Sequence, residues 1–309
     1  MSDPLVSVII PNYNHARFLS QRIECVLNQT YGNFEVIILD DKSNDNSIDI
    51  INKYKNNSKI SKIIINKENS GSTFIQWEKG FKYANGELIW IAESDDYCET
   101  NLLEVLVNEF RNDKNCVIAF CKSIKIDTEG SYIGEAGMKK NMHLRGISFF
   151  NHYLYRYCYI NNASSALFKK SALYQADWRH SFFRGSGDWL LWIEISRQGN
   201  VAYVNQPLNY FRIHGSNTTT IQLHSGKNEA EAINVYQFMR EKTYIGYYKE
   251  LRARIAHIYS IKYGKLSNVL NKKTKQELLK GWNNNIIINF ITCSIYSLHF
   301  VFGINIIKR

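Results

Sequence analysis

A chain of 309 residues with 45% hydrophobic and 21% charged side chains, 17 Gly and 3 Pro holds enough apolar material for a large core, which excludes a disordered, collagenous or low-complexity polymer. Its 6 Cys include no Cys-x-x-Cys pair, so neither a zinc ribbon nor a disulfide framework is indicated and a reducing compartment is expected. The formal charge of +10 is uneven, with 10 basic and 14 acidic side chains in residues 1–100, 14 and 9 in 101–220, and 14 and 5 in 221–309; a basic end of this kind can meet anionic lipid, nucleic acid or neither.

Met1-Ser-Asp-Pro4 lacks a basic leader and the first apolar run is short, so a cytoplasmic protein is expected rather than a secreted one. The first hundred residues then alternate β-branched apolar runs with segments of helical spacing, a βαβ rhythm. Leu5–Ile10, Phe34–Leu39, Ile60–Ile65 and Leu88–Ala92 read as strands; Phe18–Gln29, Ser47–Tyr54 and Thr73–Ala84 read as helices. Runs such as Val-Ser-Val-Ile-Ile suggest strands covered on both faces, hence an open, mostly parallel α/β sheet. Beyond residue 115 the pattern is mixed, with strands at Val117–Ile126, Ala163–Phe168 and Leu208–Ile213 and a helix around Trp189–Arg197. From Gly226 onward the chain reads as helical and basic. Its last stretch, Ile286–Ile307, is uncharged and largely apolar. A weakly polar stripe at Asn289, Thr292, Tyr296, His299 and Gly303 argues against a span, leaving a helix on an anionic lipid surface or one packed on the protein.

Polar clusters follow the C-terminal ends of three strands: Pro11-Asn-Tyr-Asn14, Asp40-Asp-Lys-Ser43 and Glu93-Ser-Asp-Asp96. Open α/β sheets bind ligands outside those ends. Three carboxylates in the tetrad Glu93–Asp96 repel unless something positive lies among them, and a hard divalent cation shared with phosphate would serve. Asp40 and Asp41 either contact a ribose or base or simply form the turn. Asp188, after Gly185-Ser-Gly187, faces an apolar Trp-Leu-Leu-Trp run, where burial favours a general base and helix capping is the alternative. Arg212-Ile-His214 offers a phosphate clamp and an imidazole ligand, or neither. The aromatic run Phe149–Tyr159 suits sugar rings or core packing.

Taken in order, Val6-Ser-Val-Ile-Ile-Pro-Asn-Tyr-Asn14, Gln29-Thr-Tyr31, Glu35-Val-Ile-Ile-Leu-Asp-Asp41, Asn69-Ser-Gly71, Ala84-Asn-Gly-Glu87, the acidic tetrad, Gly187-Asp-Trp-Leu-Leu-Trp192 and Tyr210-Phe-Arg-Ile-His214 resemble the family 2 glycosyltransferases over roughly residues 4–220. The resemblance implies a GT-A fold with a catalytic domain over 1–220 and a nucleotide-sugar half at about 1–98. An acceptor half at about 99–220 completes the resemblance; the helical basic region over 221–309 lies outside it, and its charge and helical spacing lead to the expectation that it meets the inner face of a membrane. The resemblance further implies inverting, metal-dependent transfer from a nucleotide-diphosphate sugar to a glycan or lipid-linked acceptor in surface polysaccharide or glycolipid biosynthesis, with Mn2+ or Mg2+ as cofactor and no nucleic-acid partner. By position, Pro11, Tyr13, Asp40, Asp41 and Gly71 line the nucleotide pocket. Lys79 meets the diphosphate, because Gln76-Trp77 stand where many relatives carry an Arg. Asp95 is the main metal ligand and donor contact, Glu93 opens the DxD-like motif, His214 is a further ligand and Asp188 the general base. A nucleotidyltransferase, which would need a Gly-rich loop after the first strand, and a non-catalytic carbohydrate-binding homologue are the alternatives.

Overall fold

Seven successive residues of the first strand, β1 (Val6–Asn12), are buried, as are all but Glu35 of β2 (Phe34–Asp40) and all of β4 (Leu88–Ile91). Strands this apolar are stable only with cover on both faces, and the computed structural model, which describes residues 3–178, 183–215, 225–282, 287–288 and 290–294, supplies it. Val6, Val8, Ile10, Val36 and Ile38 point toward one layer, where α1 (Ala16–Leu27) buries Leu19, Ile23 and Val26. That spacing is one helical stripe. On the other face α3 (Thr73–Tyr83) crosses β1 closely enough that a Cβ on Gly80 would lie 2.5 Å from Ile9 Cγ2. Glycine is therefore required there by packing. Each fully buried Val, Leu or Ile contributes about 1.5–3 kcal/mol.

The sheet runs β3-β2-β1-β4-β9-β6-β10-β5. β3 (Ile60–Ile65), β2, β1 and β4 are parallel, with α2 (Ser47–Lys53) in the β2–β3 crossover. After β5 (Tyr97–Cys98) and α4 (Leu102–Asn112) the pairing becomes mixed. β6 (Cys116–Ile126) is parallel to β10 (Asn200–Arg212), whereas β9 (Ala166–Lys169) is antiparallel to both β4 and β6. β7 (Tyr132–Ala136) and β8 (Met142–Arg145) hang off β6 and β10. α5 (Gly146–Phe149), α6 (Lys170–Tyr174) and α7 (Gly187–Ser196) complete this half. Phe149 and Phe150, from the aromatic run, are fully buried core residues, while Tyr157 is exposed.

The chain divides into two compact units, Met1–Leu154 with Cys158–His214, and Tyr155–Tyr157 with Gly215–Arg309. The second unit contains α8 (Lys227–Glu241), α9 (Tyr247–Lys262) and α10 (Lys272–Gly281). Its core holds a polar knot in which Glu229 Oε1 accepts from Trp282 Nε1 at 2.9 Å and pairs with His257 Nδ1 at 2.6 Å, the imidazole stacked on the indole at 4.5 Å. Among the described residues no helix is long and apolar enough to cross a membrane; most of Ile286–Ile307 lies outside them.

Candidate active site

The C-terminal ends of β1, β2 and β4 bring the three polar clusters to one edge, where two different jobs separate. The β1 and β2 clusters build the turn. Asp40, wholly buried, accepts from Asn12 Nδ2 (2.8 Å), Ser43 Oγ (2.6 Å) and Ser43 N (2.8 Å). Asp41 accepts from Asn66 Nδ2 (2.6 Å), Ser70 N (2.9 Å), Ser70 Oγ (2.8 Å) and Gln76 Nε2 (2.9 Å). Such charge-assisted bonds satisfy the buried carboxylates and fix the loop. Gly71 sits in that loop at φ 68°, a left-handed conformation suited to glycine. The Lys79 ammonium is bonded to Asn66 Oδ1, which in turn holds Asp41. Lys79 thus braces the Asp41 turn through Asn66. Pro11 is buried in β1 opposite Leu39, while the Tyr13 ring is 45% exposed at the edge.

The acidic loop is built differently. Positive charge does lie beside its carboxylates, and the chain itself supplies it. Arg22 is fully buried on α1, donates Nε to the Glu93 carbonyl at 2.8 Å and stands 3.8 Å from Asp96 Oδ2. Asp96 also accepts from Asn162 Nδ2 (2.9 Å), Ser164 Oγ (2.7 Å) and Arg212 N (2.9 Å). The sequon Asn162-Ala-Ser164 is thus interior structure. Arg212, named as a phosphate clamp by the sequence, spends its guanidinium on the carbonyls of Asp95 (2.9 Å), Asp127 (3.2 Å) and Thr128 (3.0 Å) and on Gln21 Oε1 (2.9 Å).

Burial, reinforced by the charges of Asp95 and Asp96, pushes the Glu93 carboxyl up to about 8. Burial and the Asp95 charge push Asp96 up to about 7. For Asp95 burial acts in the same upward sense but is outweighed by the hydrogen bond from His214 and the charges of His15 and His214, so its pKa falls below the ordinary carboxylate value. The loop therefore concentrates its negative charge on Asp95.

Asp95 is also where the ligand-bearing side chains converge. His214 Nε2 lies 3.0 Å from Asp95 Oδ2, His15 and His214 rings meet edge to face at 5.6 Å, and ligand atoms of His15, Asp95 and His214 all lie within 4.8 Å of one another. His15 Nδ1 is fixed by Ser94 Oγ at 2.8 Å. Burial lowers the His15 pKa against the upward pull of Asp95, which favours the neutral imidazole that can act as a ligand. Two imidazoles and an ionised carboxylate fit a divalent transition ion. Among the described residues this is the one such group. Glu93, expected as a ligand, is not in it, because its carboxylate accepts from Trp77 Nε1 at 2.8 Å.

Asp188 is the second residue of α7, half-buried, with Oδ1 accepting from Trp189 N at 2.7 Å and the Cys158 thiol 3.7 Å from Oδ2. A run of contacts joins it to the acidic loop. Trp77, which holds Glu93, packs edge to face on Phe74 at 5.1 Å and stacks on Trp178 at 6.1 Å; Trp178 Nε1 donates to the Gly187 carbonyl at 2.7 Å. The sequence reading missed His15, Arg22 and Trp77 as site residues. Signals existed for the first two, since His15 directly follows the β1 cluster and Arg22 falls on the apolar stripe of α1.

The glycosyl transferase family 2 model matches residues 7–175. An uncharacterized glycosyltransferase of Rickettsia bellii is 30% identical over 79% of this chain and 34% of its own length. The chondroitin synthase of Pasteurella multocida is 27% identical over 72% of this chain and 22% of its own. The poly(ribitol-phosphate) beta-N-acetylglucosaminyltransferase TarP of Staphylococcus aureus is 26% identical over 91% and 86%. The chain thus spans about a third or less of the first curated relatives it matches. Among solved structures, S. aureus TarS 1-349 in complex with UDP-GlcNAc aligns with a TM-score of 0.60 at 16% identity, covering 94% of this chain and 91% of that one. A mannosyltransferase from Pyrobaculum calidifontis in complex with GDP-Man and Mn2+ aligns at 0.57 and 13% identity, covering 97% and 81%. These structural likenesses establish the GT-A type of fold.

Proposed function

The chain belongs to glycosyl transferase family 2, and from that premise we propose that it moves a sugar from a nucleotide-diphosphate sugar to an acceptor hydroxyl with inversion, using a divalent cation. The observation that carries the reading is the His15–Asp95–His214 group, with Asp95 and His214 buried and His15 half-buried, at the C-terminal edge of the parallel strands. UDP, UDP-GlcNAc and GDP-Man in the solved neighbours support a nucleoside diphosphate sugar as donor.

Asp95, His15 and His214 hold the cation, Mn2+ fitting this nitrogen-bearing set better than Mg2+. When bound, it supplies positive charge that offsets the departing diphosphate. Tyr13 offers its ring to the base, and Pro11, Asp40, Asp41 and Gly71 shape the wall beneath. Asp188 accepts the proton of the acceptor hydroxyl as that oxygen attacks the anomeric carbon from the face opposite the diphosphate, and one displacement inverts configuration. The acceptor class we propose is a surface glycan or glycolipid, in keeping with the polymer-forming names among the relatives.

The test is nucleotide release by the purified chain from a panel of nucleotide-diphosphate sugars, with Mn2+ or with EDTA. Release of nucleoside diphosphate from one donor, falling at least tenfold in EDTA, is expected. Release unaffected by EDTA, or release of pyrophosphate instead, contradicts the proposal.

A further inference from the structure

Two of the six cysteines stand apart from the rest. Cys25 on α1 and Cys98 in β5, 73 residues apart, bring their sulfurs to 3.4 Å with the Cys98 thiol aimed at Cys25. Cys25 is half-buried, its thiol donating to the Arg22 carbonyl at 3.2 Å, while Cys98 is buried. The surroundings hold the pair in register: Gln29 Nε2 lies 3.5 Å from Cys98 Sγ and also donates to the carbonyls of Cys25 (3.0 Å) and Glu99 (2.8 Å). Arg22 Nη1 lies 3.9 Å from Cys25 Sγ, placing a fixed cation beside it.

We propose that Cys25 and Cys98 are a modification site, a dithiol that hydrogen peroxide converts to an intramolecular disulfide, with Cys25 the attacking and Cys98 the resolving thiol. The hydrogen bond from Cys98, aided by the Arg22 charge and overcoming the opposite effect of burial, lowers the Cys25 thiol to about 6, whereas burial raises Cys98 well above 9.0. A thiolate beside a cation is the form that attacks peroxide. Cys25 sulfur bonds to one peroxide oxygen, the O–O bond breaks, and the other oxygen leaves as water with the Cys25 proton, so that Cys25 becomes a sulfenic acid. Cys98 sulfur then attacks that sulfur, the S–O bond breaks, and a second water leaves with the Cys98 proton. Two thiols are oxidised and one peroxide is reduced. A disulfide needs the sulfurs at about 2.05 Å, so from 3.4 Å they must close by roughly 1.4 Å.

The position gives the bond a consequence. Arg22 links Cys25 to the Glu93 carbonyl, and Cys98 lies in the strand that leaves the acidic loop. Oxidation thus staples α1 to the polypeptide that carries Asp95. The inference stands on the thiol geometry and does not depend on the sugar-transfer reading.

The full chain is treated with stoichiometric hydrogen peroxide, blocked with N-ethylmaleimide, digested and analysed by mass spectrometry. The proposal predicts a Cys25–Cys98 linked peptide that dithiothreitol abolishes, with the other thiols still alkylated. Cys98→Ser should leave Cys25 as a sulfenic acid that dimedone traps, and Cys25→Ser should leave Cys98 reduced, both variants keeping the circular dichroism of the parent. Full alkylation of Cys25 and Cys98 after peroxide, or a dimedone adduct on Cys25 in the parent without the linked peptide, would overturn it.

Discussion

Three carboxylates in four residues cannot all be charged in a dry loop, and the chain resolves the conflict by giving each a different environment. Asp95 keeps its charge beside His15 and His214, Asp96 is enclosed by Arg22 and neutral donors, and Glu93 leans on an indole N–H. With Glu93 held near 8 against an ordinary 4.5, ionising it in the folded state costs about 5 kcal/mol more than in the unfolded chain. The folded protein binds the extra proton throughout that window, so the contribution to stability is present at low pH and lost as pH rises through 8. Denaturant melts of metal-free protein between pH 5.5 and 8.5 should therefore show stability falling with pH, and Glu93→Gln should flatten the fall. An unchanged slope in the variant contradicts this assignment. That Asp95 and His214 meet agrees with the sequence reading that placed both at C-terminal strand ends of one sheet edge. Arg22 was not read, although an Arg at the i+3 position from Leu19 on a buried stripe signals a buried partner. The roles of Asp41 and Lys79 were hidden because both depend on Asn66 and Gln76, which only the folded loop brings near.

At the level of elements, the parallel half was readable because β-branched runs and helical stripes are local patterns, and β1 to β4 lie close to their predicted bounds. β5, β7 and β8 are short and owe their existence to partners in β10 and β6, so local propensity does not announce them. α4 went unread despite Leu102, Leu103, Leu106, Val107 and Phe110 on one face, a stripe sufficient to find it. The element most exposed to test is α7, whose first residue meets the aromatic group of α3. A Cβ on Gly187 would lie 2.7 Å from Phe74 Cε2, and Phe74 is pinned by Trp77 and Trp178. Gly187→Ala should cost about 1–3 kcal/mol and, by displacing Asp188 by as little as ~1 Å, lower turnover by about 100-fold. Thermal melts and nucleotide release check the two effects; parental values in both would show that α7 does not depend on this contact.

Over the whole molecule the charge runs from acidic to basic, and residues 221–309, with 14 basic and 5 acidic side chains, carry the larger share. We propose that this region meets anionic lipid, which predicts cosedimentation with phosphatidylglycerol vesicles that is lost with neutral phosphatidylcholine and weakens sharply above about 0.5 M salt, where the Debye length falls toward ~4 Å. Binding that is equal for both lipids contradicts it. The chain passes from one compact unit to the other at His214/Gly215, and Tyr155–Tyr157 belong to the second; the sequence does not show the latter, because Tyr236 reaches back to the Tyr155 carbonyl at 2.6 Å only in the folded chain. In the proposed reaction Asp95 and Asp188, 93 residues apart in the sequence, serve one transfer. Asp188→Asn separates the steps: kcat should fall by about 10²–10⁴ while donor affinity with Mn2+ stays within about threefold of the parent, since the base acts only as the hydroxyl attacks. Turnover near the parental rate, or donor affinity lost in proportion to turnover, would contradict the account.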